Sequence, residues 1–234
     1  MKKRQILRAL SLLAAVCIAA GCRGSTAAET TAGTGIQAET STVSEKTTAA
    51  ESVSAEVEEL EVDHVDEDGT VYYKNPTEWT YEKIFSELTI NGKSIEAPLT
   101  IEKFGKDFSL NTDTAEYLEA DMVVCAEMSY KGSTFANVTL KDCQNKQDLS
   151  NKEIRLLVLS DVLYECDDFP NILISGIGIS SNRNDIISVF GVPFKENATD
   201  GSIDDTITYY SESCTLIFRI SGNDVKTMYI LFSN

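Results

Sequence analysis

From Gly69 onward the chain falls into short runs in which apolar and polar residues alternate, punctuated by turn residues about every ten positions. Ile84, Ser86, Leu88 and Ile90 alternate with Phe85, Glu87 and Thr89, which reads as a strand over residues 83–90, and Asn91-Gly92 behind it is a strong hairpin signal. After Pro98, Thr100 and Gly105 bracket Ile101-Glu102-Lys103-Phe104 as a short capped helical turn. The next two runs specify a register. Joining residues 122–130 to residues 134–140 through Lys131-Gly132-Ser133, with Tyr130 opposite Thr134, pairs Met128 with Ala136, Ala126 with Val138 and Val124 with Leu140, so every apolar group faces one way. The same register sets Cys125 opposite Thr139 and Cys143 opposite Asp121, too far along the ladder for a disulfide between the two cysteines. Residues 154–159 supply another strand.

A similar order then restarts. Residues 171–175 read as a strand, Gly176 and Gly178 as a close backbone approach, and Ser181 as the cap of a helix over residues 182–190 with Ile186, Val189 and Phe190 at helical spacing, stopped by Gly191-Val192-Pro193. Strands follow at residues 206–210, 214–220 and 225–232, the last two joined by Ser221-Gly222-Asn223-Asp224. The pattern predicts an α+β fold made of two similar units, residues 69–167 and 168–234, each a short helix packed on an antiparallel sheet.

The run from Gly178-Ile179 through a capped helix and Phe190-Gly191-Val192-Pro193 to a tyrosine-bearing strand and a final hairpin resembles small exported proteins that pack a helix on an antiparallel sheet. These include β-lactamase-inhibitor-like tandem repeats and the small lipoprotein of the outer-membrane barrel assembly machine. The resemblance covers residues 172–234 and, more loosely, 84–160. It implies non-catalytic protein binding through a sheet face or loops, with no catalytic residue to carry over.

The N-terminal region has a different texture. Met1-Lys2-Lys3-Arg4 is cationic, the uninterrupted apolar stretch from Leu12 to Gly21 is too short for a permanent span of about 30 Å, and small residues follow, which together read as an export signal. Ile18-Ala19-Ala20-Gly21-Cys22 resembles the bacterial lipoprotein signal, in which the cysteine is diacylated and becomes the mature N-terminus, although Ala19 stands where that family more often has Leu. The implied products are a signal peptide at residues 1–21, a lipid on Cys22, and a location on the extracytoplasmic face of the cell membrane. Residues 23–68 hold eight Thr, seven Ala, five Ser and nine Glu without one aromatic residue, a composition that cannot offset its ordering entropy by burial. A disordered tether over residues 22–68 is expected. The acidic run Asp63 to Gly69 fails as a calcium loop, because with Gly69 at its sixth position His64 would stand first and Asn75 last.

Charge and cysteine placement narrow the function classes. The formal charge is −17, and about −22 for residues 24–234, which argues against nucleic acid and against docking on anionic lipid through a basic patch. His64 is the sole histidine, so a Ser-His-Asp triad, a Cys-His pair and a multi-histidine zinc site are excluded. Gly176-x-Gly178 lacks the third glycine and the parallel crossover of a dinucleotide loop. Cys125, Cys143, Cys166 and Cys214 show no Cys-x-x-Cys spacing, so neither a metal nor a cofactor is expected; Cys166 with Cys214 is the one disulfide left open beside four unpaired thiols. The adjoining carboxylates Asp167-Asp168 and Asp204-Asp205 tend to point apart. The expected function is therefore a membrane-anchored, non-enzymatic protein-binding module. Its alternatives are a glycan- or peptide-capturing module using Tyr72, Tyr73, Trp79 and Tyr81, and a carboxylate-dependent wall hydrolase.

Lipidation is directly testable. Mass spectrometry of the membrane fraction should find a diacylated N-terminal Cys22, and Cys22→Ala should release the protein from membranes. Normal maturation and fractionation of Cys22→Ala would contradict the lipoprotein reading.

Overall fold

The computed structural model describes residues 60–161, 168–197 and 205–233. The expected lipidation site, the bulk of the expected tether, Cys166 and Asp167 lie outside those residues. Among the described residues there are thirteen strands: β1 (Val62–Val65), β2 (Thr70–Tyr73), β3 (Leu88–Ile90), β4 (Lys93–Ser94), β5 (Phe108–Leu118), β6 (Val123–Tyr130), β7 (Ser133–Leu140), β8 (Ile154–Ser160), β9 (Ile172–Ile174), β10 (Lys195–Asn197), β11 (Asp205–Tyr210), β12 (Cys214–Ser221) and β13 (Asp224–Phe232). Three short helices accompany them among the described residues: α1 (Tyr81–Glu87), α2 (Ile101–Phe104) and α3 (Arg183–Phe190).

This architecture overturns the α+β expectation of two helix-on-sheet units. The described residues are mostly β, 50% strand and 12% helix, and ten strands form one antiparallel sheet in the order β1-β2-β10-β11-β12-β13-β8-β7-β6-β5. The physical reason lies at the sheet centre. Leu157 and Leu159 of β8 stand opposite Ile230 and Met228 of β13, all four buried, so the two meanders β5–β8 and β10–β13 fuse edge to edge and their apolar rows become one core. A separate three-stranded sheet, β4-β3-β9, and the helices lie over that core. Ring contacts show the coverage: Phe190 of α3 meets Tyr209 and Phe218, Phe85 of α1 meets Phe232, and Phe104 of α2 meets Phe108.

Several elements depart from the sequence reading for local reasons. Residues 81–87 are helical rather than extended. Thr80 accepts a hydrogen bond from the Lys83 amide at 3.3 Å as N-cap, and the period-3.6 set Ile84, Phe85 and Leu88 is buried, so burial of Phe85 decides between two patterns that share Ile84 and Leu88. The expected hairpin survives as β3, Asn91-Gly92 and β4. In α3 the cap is Asn182, not Ser181: Asn182 and Asp185 form a reciprocal capping box at 3.0 and 3.1 Å, while Ser181 Oγ accepts from the Gly178 amide. Val189 is exposed and Ile187 takes the buried position instead. The β6–β7 register holds for Val124–Leu140, Cys125–Thr139, Ala126–Val138 and Met128–Ala136. Beyond it a bulge at Phe135 puts Ser129 opposite Thr134 and Tyr130 opposite Ser133, and the extra residue packs between Phe108 and Phe169.

The expected tether also ends sooner than composition suggests. Val62–Val65 is strand β1, paired with β2, and β2 in turn adds to β10 through Thr70–Asn197, Val71–Glu196 and Tyr72–Lys195. Thus residues 60–73 complete the sheet beside strands from the far end of the chain.

A fragment comprising residues 168–234 lacks β2 and β8, which leaves both outer edges of its meander unpaired, and lacks Trp79 above Phe190. Produced alone it should show no cooperative thermal transition in near-ultraviolet circular dichroism. A sharp melt of that fragment would contradict the single-core architecture.

Candidate functional site

Alternation along β-strands sends successive side chains to opposite faces. Tyr72, Lys195, Thr208, Ile217, Tyr229, Val158, Asn137 and Glu127 are cross-strand neighbours in one row, and they stand on the face opposite the helices. A parallel row runs Tyr210, Thr215, Leu231, Leu156, Thr139 and Cys125. Thr139, Thr208, Thr215 and Thr227 are buried on this face, and half-buried Tyr72, Tyr210, Ile217, Tyr229 and Leu231 rise around them. Leu156 and Val158 are buried here too, outside the main core cluster.

The four aromatic residues expected to form a platform do not come together. Trp79 is only 3% exposed: its ring lies 4.2 Å from that of Phe190, its Nε1 donates to the Phe190 carbonyl at 3.1 Å, and its carbonyl accepts from Ser211 Oγ at 3.0 Å. It is a core residue. Tyr81 packs on Phe85 and Phe232, and its amide donates to Ser213 Oγ at 3.0 Å. Tyr73 points to the helix side beside the Arg183–Glu196 ion pair, and burial, followed by the Glu196 charge, raises its phenol above the ordinary range. Tyr72 alone belongs to the helix-free face.

A different aromatic group assembles there. The His64 ring stacks on Tyr72 with centroids 4.5 Å apart and planes 4° apart; Phe194 meets Tyr72 edge-on at 5.7 Å and 90°; Tyr210 lies 5.6 Å from Phe194 at 44°. The strip starts at the β1 edge and runs inward. At its outer end His64 Nδ1 is 2.9 Å from Asp63 Oδ2 and Nε2 is 3.6 Å from Asp66 Oδ1. Burial, and then the Asp66 charge, raises the Tyr72 phenol. The Thr70 amide, 3.1 Å from Asp68 Oδ1, holds the Asp68 carboxyl below its usual range. At the inner end Thr215 Oγ1 is buried with no hydrogen-bond partner, directly across from Tyr210.

Sequence reading missed His64, Phe194 and Tyr210 as one group because strand pairing between residues far apart in the chain unites them. The available signal was the Tyr209-Tyr210 pair: in a strand one member must face the core and the other away from it.

The cysteines and carboxylates are dispersed. Cys214 is a free, buried thiol, and the pairing with Cys166 left open above falls outside the described residues; burial pushes the Cys214 thiol up to about 12. Cys143 donates weakly to the Leu140 carbonyl, and Cys125 lies 3.6 Å from Thr139 Oγ1. Asp168 pairs with Lys131 and Glu153 with Lys141. Among the described residues no group of three or more His, Cys, Asp or Glu side chains is placed to hold a metal.

The contrast between core and strip predicts a stability difference. Trp79→Ala should cost about 3–5 kcal/mol, whereas Tyr210→Ala should cost about 1 kcal/mol or less. Urea unfolding monitored by circular dichroism checks both, and equal losses would contradict the assignment of the two rings.

Comparison of the chain with protein-family models, with curated proteins and with solved structures finds no match in any of the three.

Proposed function

We propose that this chain is a membrane-anchored extracytoplasmic lipoprotein whose folded part is a non-catalytic protein-binding module, and that it binds through the helix-free face of its ten-stranded sheet. One observation carries the reading: a broad sheet face lies opposite the helices and is lined by half-buried Tyr72, Tyr210, Ile217, Tyr229 and Leu231 around a threonine floor. Tyrosine rings contribute large contact area at low conformational cost, and they recur among residues that dominate binding energy. Rows of β-branched residues give a stiff surface, so little ordering entropy opposes docking. The anchor half of the proposal rests on the N-terminal sequence, where a cationic start, an apolar stretch and small residues precede Cys22.

The direct test places a photo-crosslinking phenylalanine derivative at Tyr229, on the helix-free face, and in a parallel strain at Val189, exposed on α3. In cells of the source organism the 229 variant should yield a discrete protein adduct and the 189 variant should not. Indistinguishable adduct patterns, or turnover of a wall glycan or peptide by the pure protein, would contradict the proposal.

A further inference from the structure

We infer that the strip His64–Tyr72–Phe194–Tyr210 docks an extended, proline-rich segment of the partner, with a basic residue of that segment seated against Asp63 and Asp66; the inference rests on the protein-binding reading above. Two observations lead to this chemistry.

The first is ring geometry. A glycan stacks its hydrogen-bearing face on flat, exposed rings, but here the planes stand at 4°, 90° and 44° to one another, and His64 covers one face of Tyr72. The strip is ridged rather than flat. A polyproline II segment suits such ridges: its rings fit between aromatic side chains, and its backbone is already extended and poor in conformational entropy.

The second is charge. Residues 47–73 contain no Lys or Arg, and Asp63, Asp66 and Asp68 gather at the outer end of the strip, with Asp68 kept ionised by the Thr70 amide. Lys195, across from Tyr72, is a cation that faces this end, its Nζ 5.8 Å from the Tyr72 ring centre. Basic side chains are thus favoured on the Asp63–Asp66 side and disfavoured beside Lys195, which gives the peptide a direction.

The test titrates fluorescein-labelled decaproline carrying arginines at one end, and the same peptide with glutamates there, onto the full-length chain in detergent micelles, read by anisotropy. Saturable binding is expected, about tenfold tighter for the arginine peptide, with the gap closing at high salt. Tyr210→Ala should weaken both peptides about tenfold and Tyr210→Phe should retain binding, which separates loss of the ring from loss of the fold. Asp66→Asn should weaken only the arginine peptide. Absence of saturable binding, equal affinity for both peptides, or displacement by a cellulose or chitin oligosaccharide would overturn the inference. If the peptides fail while the Tyr229 adduct persists, this assignment alone falls and the protein-binding reading stands.

Discussion

The hydrogen bond from the Trp79 indole to the Phe190 carbonyl, made inside a ring contact of 4.2 Å, joins two parts of the chain 111 residues apart. Much of the fold depends on it. The segment leading from β2 to α1 is stitched to the residues after α3 and to the β11–β12 turn: the Thr77 amide donates to the Val192 carbonyl at 2.8 Å, Thr77 Oγ1 accepts from the Val192 amide, the Tyr81 amide donates to Ser213 Oγ, and the Trp79 carbonyl accepts from Ser211 Oγ. Gly191 is required at this junction, since it sits at φ +79° and a Cβ there would lie 2.5 Å from Thr77 Oγ1. With the segment held, β2 is delivered to β10 and α1 to the core. Without it, Trp79 would leave a cavity and the Phe190 carbonyl would lose its partner in a region that water does not reach.

The same strands carry two chemistries because their period is two. On the helix side Ile207, Phe218, Met228, Leu159, Ala136 and Met128 form one continuous buried row. On the other side the neighbouring positions are Thr208, Ile217, Tyr229, Val158, Asn137 and Glu127. A one-residue slip would exchange these sets, so burying the first row also determines what the second presents. The proposed binding face is in this sense a by-product of core packing, with its identity set by which residues occupy the positions the core does not use.

Legibility of the sequence followed the strength of local signals. The last three strands and the β6–β7 pairing were readable because their alternation is clean and their turns are short. Strand β5, the longest edge, was not, because the polar run Asn111-Thr112-Asp113-Thr114 breaks its pattern; Asn111 and Thr114 instead serve the Glu127 carboxylate at 3.1 and 3.2 Å. Strand β1 was hidden by composition, since all four of its residues are exposed and it is fixed by ladder bonds and the His64–Tyr72 stack rather than by burial. The fusion of two meanders across β8–β13 was illegible in principle. Each strand shows an apolar row, and nothing local states that the two rows are neighbours. The site suffered the same way: Tyr72 was named from sequence, but its companions come from strands paired at long range, and Trp79, the largest ring, was drawn into the core.

Native-state hydrogen exchange of the Trp79 indole proton reports whether the segment from β2 to α1 opens together with the sheet. If this residue joins the N-terminal segment to one cooperative core, its exchange free energy should equal that of the β8 and β13 amides, and all should fall together with added denaturant. Exchange of the indole through a lower-energy opening, with β8 and β13 still protected, would show instead that the segment is an appendage to an independent core.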